Sequence, residues 1–246
     1  MNNYQILVEY VGTNFVGWQI QKNGISVQEV IQGALYKIIK KKILLSGSGR
    51  TDAGVHAIAQ SASFMTEYEV KDKVNFIRSL NYFLLKHKVS ILEIKKRKKT
   101  FHARHSATKR TYKYLIVNRE ASLSLDKNRA WNFRKQLDFK LMKRGANILQ
   151  GTKNFSTFRA SSCSAKSPIK TLQKVKIKKI KDKIEIVFIS KSFLQQQVRS
   201  MVGCLKYLGE KKWTLMKFKE VMLSKKRSSC APPAPAHGLY LSKVDY

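Results

Sequence analysis

The sequence predicts an α+β fold made of two successive units, each with the element order β-α-β-β-α-β. Short runs in which apolar and polar residues alternate are typical of half-buried strands. They are separated by longer segments with apolar residues three and four positions apart, as in amphipathic helices. The same order of strand and helix patterns occurs twice along the 246 residues. At roughly 100–200 residues per domain, this length allows one large domain or two small ones.

The first half begins with a predicted strand at residues 5–10, followed by Ser26 and Glu29 at the spacing of a capping box that opens a helix. The apolar face of this helix consists of Val27, Val30, Ile31, Ala34, Leu35 and Ile38. Further strands are predicted at 43–45, 57–65 and 89–94. A second helix lies between the last two and has Val74, Ile77, Leu80, Phe83 and Leu84 on one face.

The second half repeats this order. The patterns predict, along the chain, a strand at 112–117, a helix at 137–149, a hairpin of strands 172–180 and 184–190, a helix with Leu194, Val198, Met201, Val202, Leu205 and Leu208 on one face, a short helix at 215–223 and a strand at 239–244. We therefore expect two ferredoxin-like units, residues 1–105 and 106–246. They should form a mixed, mainly antiparallel central sheet with a cleft between the halves.

The charge balance indicates a polyanionic partner. The chain has 49 Lys plus Arg against 15 Asp plus Glu, a formal net charge of +34. Because cationic side chains release counterions when they bind phosphates, nucleic acid is the expected partner. Part of the excess also fits a general preference for Lys on solvated faces. The segment 95–110 has eight Lys or Arg and no acidic residue, and we expect it to face RNA rather than serve only as a solvated linker.

Several other protein classes are not indicated by the sequence. No apolar run reaches the roughly 18 residues of a membrane-spanning helix, and the N-terminus leads directly into a strand pattern without a signal peptide. The three cysteines, Cys163, Cys204 and Cys230, are odd in number and far apart, so neither a disulfide framework nor a zinc site is predicted. We expect a reducing, cytoplasmic compartment and no metal.

The glycine-rich stretch 47–57 carries one carboxylate, Asp52, close to one guanidinium, Arg50. Asp52 is a candidate nucleophile or base, and Arg50 a candidate to pair with it, bind phosphate or stack on a base. Spacing alone favours neither role, because an aspartate in such a loop is more often a turn residue or a helix cap.

The same stretch resembles the signature of the tRNA pseudouridine synthase A family along Gly49–His56. The resemblance extends over nearly the whole chain and is collinear. The other matching segments are 10–19 (Tyr-Val-Gly-Thr-Asn-Phe-Val-Gly-Trp-Gln), 101–104 with 106–107 and 110–114, 155–159, 193–194 with 198–199 and 202–203, and 234–236 followed by 238–241. Collinear agreement at so many places excludes chance similarity. Two departures are Gln195–Gln197 and Ser200, so no role for a histidine in that helix carries over.

The resemblance implies a role for each of four residues. Asp52 would be the catalytic aspartate that attacks or deprotonates the target nucleoside. Arg50 would help to extrude the target base and fill its place, Tyr112 would stack on the extruded uracil, and Arg199 would pair with the Asp52 carboxylate. Without the resemblance, Tyr112 is better interpreted as a packing residue on a strand, and Arg199 as an ordinary surface residue of an amphipathic helix.

The resemblance also implies the substrate and the assembly, namely uridines 38, 39 and 40 of the tRNA anticodon stem-loop and a homodimer. Pseudouridine is an isomer of uridine, so no cofactor is expected, and the sequence carries no nucleotide-binding fingerprint. The covalent route stays open between attack at C1′, addition at C6 and a glycal.

Two alternatives belong to other classes. A non-catalytic basic RNA-binding module would explain the charge but not the combination of Asp52, Arg50, Tyr112 and Arg199. Another RNA-modifying enzyme would need motifs that the sequence lacks, such as the H-x-E and P-C-x-x-C of a zinc deaminase.

Overall fold

The structure, a computed structural model, describes all 246 residues. The chain divides into two compact units. Unit 1 comprises Met1–Thr108 together with Tyr240–Tyr246, and unit 2 comprises Lys109–Leu239. Unit 1 is therefore discontinuous in sequence, because its last strand follows the whole of unit 2 along the chain.

Residues 1–108 of unit 1 have the predicted element order β-α-β-β-α-β, and a further strand from the C-terminal end of the chain is added to them. Numbered along the chain, the elements of unit 1 are β1 (Asn2–Tyr10), α1 (Val27–Ile39), β2 (Ser46–Gly47), β3 (His56–Thr66), α2 (Lys73–Leu84), β4 (Val89–Arg97) and the final strand β10 (Leu239–Asp245). The strands are ordered β4-β1-β3-β10, with β2 beside β3. The β1 strand is antiparallel to both β3 and β4, whereas β10 runs parallel to β3, with Tyr240 opposite His56.

Helix α1 begins where the capping box predicts. The Ser26 hydroxyl accepts a hydrogen bond from the backbone N–H of Glu29 at 3.2 Å, and the Glu29 carboxylate accepts one from the Ser26 N–H at 3.4 Å. These two bonds satisfy N–H groups that have no partner within the helix. The face that α1 buries includes Val27, Ile31 and Leu35, each completely inaccessible to solvent.

The prediction of a strand at 43–45 is wrong. These residues are irregular, and the short strand β2 starts one residue later. Ile43 and Leu45 are buried while Leu44 is exposed, so burial alternates here as it does in a strand, although the backbone forms none. The backbone of Leu45 is instead bonded to side chains of α1: its N–H donates to Gln32 at 3.1 Å, and its carbonyl accepts from Gln28 at 2.7 Å.

Unit 2 contains the elements predicted for the second half except the strand at 239–244, which is β10 of unit 1. It also has two short strands that the patterns did not indicate. Its elements are β5 (Lys109–Val117), β6 (Trp131–Asn132), α3 (Phe139–Ile148), β7 (Gly151–Asn154), β8 (Ile169–Ile180), β9 (Lys183–Ser190), α4 (Gln197–Gly209) and α5 (Leu215–Leu223). The strands are ordered β5-β9-β8-β7, all antiparallel, and β6 pairs with β5 in parallel. The unpredicted strands β6 and β7 have two and four residues, too few for a periodic signal.

The core of unit 2 depends on close contact between α3 and α4. A Cβ atom on Gly145 of α3 would lie 2.4 Å from a methyl carbon of Leu208 on α4. The absence of a side chain at Gly145 therefore sets how closely the two helices approach. Ile184, Ile186 and Phe188 are fully buried, so every second residue of β9 belongs to the core, as the period of a strand requires.

Both units combine helices with a mainly antiparallel sheet that includes one parallel pair, which confirms the predicted α+β class. The predicted cleft between the halves stays a prediction. The longest helices, α1 and α4, have 13 residues each, and no helix has the length and apolar character needed to cross a bilayer.

Candidate active site

Residues 48–55, between β2 and β3, form a loop that carries Arg50 and Asp52 and is fixed by its backbone. Asp52 forms an antiparallel bridge with Gly17, and the Trp18 N–H donates to the carbonyl of Thr51 at 3.1 Å. Gly17 has φ +119°, and a Cβ atom there would lie 2.6 Å from the Thr51 carbonyl oxygen. Only glycine permits this close approach of the two backbones.

The start of the loop is held by a buried glutamine on β3. The Gln60 side chain is fully buried; its amide nitrogen donates to the carbonyl of Gly49 at 2.8 Å, and its amide oxygen accepts from the Ser48 hydroxyl at 2.6 Å. The Ser48 N–H in addition donates to the Ser61 carbonyl at 2.7 Å. Because buried polar groups require partners, these bonds fix the loop relative to β3.

The side chains at the centre of the loop differ in exposure. Thr51 is buried, and its hydroxyl is hydrogen-bonded to the Tyr10 hydroxyl at 2.7 Å. Asp52 is half-buried and Arg50 is exposed. The anchored Thr51 thus separates a guanidinium that solvent reaches from a carboxylate that is partly shielded. The Val55 N–H donates to the Asp52 carbonyl at 3.2 Å and closes the turn that follows.

The first two segments of the family resemblance, residues 10–19 and Gly49–His56, form a single structural feature. A Cβ atom on Gly12 would lie 2.0 Å from the carbonyl oxygen of Val55. The Gly12 N–H donates to Nδ1 of His56 at 3.0 Å. Since Nδ1 accepts a hydrogen bond, a neutral His56 carries its proton on Nε2.

Arg199 lies in the first turn of α4 and is bonded at two points to the segment that precedes β10. Its Nε donates to the carbonyl of Ala234 at 2.8 Å, and its own carbonyl accepts from the Ala234 N–H at 2.9 Å. The first bond restricts the orientation of the guanidinium, and the second fixes the two backbones relative to each other. Arg199 is therefore not a freely moving surface arginine.

Tyr114 on β5 contacts the same segment. Its hydroxyl donates to the carbonyl of Pro235 at 2.8 Å, and a Cβ atom on Gly238 would lie 2.6 Å from its ring. Burial raises the pKa of Tyr114 well above its ordinary value, against the opposing effect of the positive charge of Arg199. Tyr114 therefore stays a neutral hydrogen-bond donor at physiological pH.

Tyr112 lies two residues earlier on β5 and is 7 % exposed. Its ring packs edge-to-face against Phe193, with the centroids 5.1 Å apart. This contact restricts the rotation of the ring. The contact is compatible with both interpretations of Tyr112, as a packing residue and as a ring preoriented to stack on a base.

The four candidate residues fall in both units. Asp52 and Arg50 lie in one loop of unit 1, while Tyr112 and Arg199 lie in unit 2, on β5 and α4. The anchoring roles of Thr51, Gln60 and Ala234 were not predicted from the sequence. The only indication in the sequence that Ala234 matters is that it lies in the last segment that matches the family. Nothing in the sequence paired it with Arg199.

The basic segment 95–110 begins inside β4, where three of its members have partners in unit 1. Lys95 pairs with Glu93 at 2.7 Å and Lys96 with Glu69 at 3.7 Å. The Arg97 guanidinium donates to Gln5 at 2.7 Å. Nδ1 of His102 accepts hydrogen bonds from the backbone N–H groups of residues 104 and 105, which gives this histidine a structural role. An RNA-facing role for the segment stays a prediction.

Comparison with known proteins identifies the class of the chain. A family model described as tRNA pseudouridine synthase matches residues 6–106 and 146–246, well over half of the chain. A protein of Pelagibacter ubique described as tRNA pseudouridine synthase A is 59 % identical over 246 residues, which are the full length of both chains. Proteins with the same description from Parvibaculum lavamentivorans and Afipia carboxidovorans are 43 % and 42 % identical over 247 residues, again covering both chains completely.

The chain therefore belongs to the tRNA pseudouridine synthase family, which is a family of isomerases. The resemblance stated from the sequence is thus confirmed.

Proposed function

We propose that the protein converts uridine to pseudouridine at positions 38, 39 and 40 in the anticodon stem-loop of tRNA. One observation supports this proposal above the others. The signature loop holds Asp52 half-buried and fixed by backbone bonds on both sides, as a reactive carboxylate must be held. The choice of these three positions rests on the family resemblance.

Asp52 is the proposed catalytic carboxylate. The reaction breaks the N1–C1′ bond of the nucleoside, turns the uracil and rejoins it through C5, so a carboxylate must act as nucleophile or base. We propose that Arg199 pairs with it, because an adjacent guanidinium favours the ionised form of a carboxylate. The bonds between Arg199 and Ala234 support this role, since they restrict the direction in which the guanidinium points.

Arg50 and Tyr112 are proposed to handle the target base. A stacked base must leave its helix before it reacts, at a cost of a few kcal/mol. The exposed Arg50 side chain is suited to fill the space that the base vacates. Stacking of uracil on an aromatic ring such as Tyr112 would offset about 1–3 kcal/mol of that cost.

The proposed partners are tRNA and a second copy of the chain. The net charge of +34 supports attraction to the phosphates of tRNA. By family resemblance the protein acts as a homodimer in the cytoplasm, with one tRNA touching both copies. Because the product is an isomer of the substrate, the reaction requires no group donor and no redox cofactor.

The test uses an unmodified tRNA transcript with uridine at positions 38–40, incubated with the purified protein and no added cofactor. Pseudouridine is then mapped by carbodiimide modification and primer extension. We expect stops at those positions and none in a matched transcript with cytidine at 38–40. Pseudouridine found only elsewhere in the tRNA would contradict the proposed target while leaving the activity intact.

The alternative, a basic RNA-binding module without catalysis, predicts a different result. The transcript would bind with salt-dependent affinity, but no pseudouridine would form at any position. Measurement of tRNA affinity together with mapping of pseudouridine thus distinguishes the two functions.

A further inference from the structure

Two of the three cysteines lie side by side in unit 2. Cys204 is on α4, and Cys230 is on the segment that follows α5. Both are free thiols, and their sulfur atoms are 3.4 Å apart. A disulfide bond is about 2.05 Å long, so the sulfurs need to approach by only about 1.4 Å to be joined.

The backbone around the pair is already closely packed. A Cβ atom on Gly203, the neighbour of Cys204, would lie 2.1 Å from the carbonyl oxygen of Pro232. Two positions further on, Ala234 is bonded to Arg199. The segment 230–234 therefore lies directly against α4. A bond between the sulfurs requires small side-chain rotations rather than a rearrangement of the fold.

The two thiols differ in a way that suits stepwise oxidation. Cys204 is completely buried, whereas Cys230 is partly exposed and so can meet a small oxidant. The hydrogen bond between the sulfurs, helped by the Arg227 guanidinium and opposed by burial, lowers the pKa of Cys230. The same hydrogen bond, together with burial, raises the pKa of Cys204. The accessible sulfur is thus the one that more readily becomes a nucleophilic thiolate.

We propose that Cys204 and Cys230 are a site of reversible oxidation, at which hydrogen peroxide converts the dithiol to an intramolecular disulfide. In the first step the Cys230 thiolate attacks a peroxide oxygen, the O–O bond breaks, and hydroxide leaves and takes up the proton that the Cys230 thiol released. Cys230 becomes a sulfenic acid. In the second step the Cys204 sulfur attacks the Cys230 sulfur, the S–O bond breaks, and water leaves with the Cys204 proton. Two thiols are oxidised by two electrons, and one peroxide is reduced to two waters.

Cys163 is the matched control within the same unit. It is 8 % exposed and close to Arg159, whose guanidinium donates to its carbonyl. Its thiol has backbone groups of Ala165 and Gln195 and the Arg159 side chain as partners rather than either of the other two thiols, so it has no role in the proposed bond. The proposal does not depend on the function assigned to Arg199.

The experiment treats the native, fully reduced full-length protein with hydrogen peroxide, removes the peroxide and then labels thiols with iodoacetamide in denaturant. Mass spectrometry should find one labelled thiol instead of three, and a mass lower by two hydrogens before labelling. Trypsin should release peptide 200–206 joined to peptide 228–243. Dithiothreitol should restore three labels.

Two variants decide the assignment. Cys163→Ser should still lose both remaining thiols on treatment. Cys230→Ser should keep Cys204 available for labelling, because the buried sulfur has lost its accessible partner. The proposal is overturned if Cys230 accumulates as sulfinic acid while Cys204 stays labelled. It is also overturned if the linked peptide appears only when peroxide is added to unfolded protein.

Discussion

Asp52 combines a fixed backbone with a side chain for which the family resemblance implies a catalytic role. Its main chain is held by Gly17 and by the N–H of Val55, and neither bond involves the carboxylate. Replacement of the carboxylate by an amide of the same shape should therefore leave the loop in place. We predict that Asp52→Asn abolishes pseudouridine formation but keeps tRNA affinity close to that of the wild type.

Parallel measurements of turnover and of tRNA affinity check this prediction. The assignment of Asp52 is refuted if the variant forms pseudouridine at more than a few per cent of the wild-type rate. Loss of both turnover and affinity would instead indicate a role in holding the RNA.

Arg199 offers a second test at the scale of single residues. We expect Arg199→Ala to lower the catalytic rate strongly and to weaken tRNA binding only slightly, because the proposed partner is a carboxylate of the protein rather than a phosphate. Arg199→Lys should recover part of the rate, since an ammonium supplies the charge but not the planar fork that also bonds Ala234. If both variants keep the wild-type rate, Arg199 has only a structural role.

The candidate residues predicted from the sequence differ from the anchoring residues that were not predicted. Asp52 and Arg50 belong to a contiguous motif, so inspection of one stretch found them. Thr51, Gln60 and Ala234 act by hydrogen bonds to residues distant along the chain, and their side chains have no chemical character that distinguishes them in a sequence. Positioning residues of this kind become visible only when the fold brings their partners together.

Secondary structure was predictable where periodicity and capping agreed. Helix α1 begins at the predicted residue because its apolar face and the Ser26 cap point to the same boundary. Helix α5 lies at the predicted position, Leu215–Leu223. The strand expected at 43–45 failed because side chains of α1 satisfy that backbone, an interaction that alternation cannot reveal. The pattern at 239–244 predicted a strand but carried no information about its neighbours.

The C-terminal end of α4 allows a prediction about stability and pH. The Glu210 carboxylate is 2.7 Å from the Lys206 ammonium and 3.4 Å from that of Lys212, and the Glu210 side chain is only 5 % exposed. Burial alone would raise the pKa of Glu210, but the two lysines outweigh it, so its pKa lies below the ordinary value. A depressed pKa stabilises the folded state above the unfolded-state pKa, and this stabilisation is lost as the pH falls through the folded-state pKa.

We therefore expect Glu210→Gln to lower the free energy of unfolding by about 2 kcal/mol at neutral pH. The difference from the wild type should begin to shrink below the unfolded-state glutamate pKa of about 4.3 and be lost once the pH falls below the depressed pKa of folded Glu210. Urea titrations across that pH range measure both quantities. Glu67→Gln, in an exposed ion pair with Lys41, is the control and should change little. A Glu210 effect independent of pH would show that packing, not charge, stabilises this helix end.

For the whole molecule, the net charge of +34 makes a prediction about tRNA binding. Many Lys and Arg should meet phosphates, so the logarithm of the affinity should fall steeply and linearly with the logarithm of the salt concentration. Fluorescence anisotropy of labelled tRNA between low and physiological salt measures this slope. A flat dependence would mean that most of the basic residues only solvate the surface.

The discontinuity of unit 1 has a consequence for synthesis of the chain. Residues 240–246 leave the ribosome only after all of residues 109–239, an interval on the order of ten seconds. Until then β3 lacks its parallel neighbour at His56, the residue that follows the signature loop and stacks on Tyr240 at 4.8 Å. The nascent protein thus carries an open strand edge beside the loop that contains Asp52, and the first-made unit is the last to be completed.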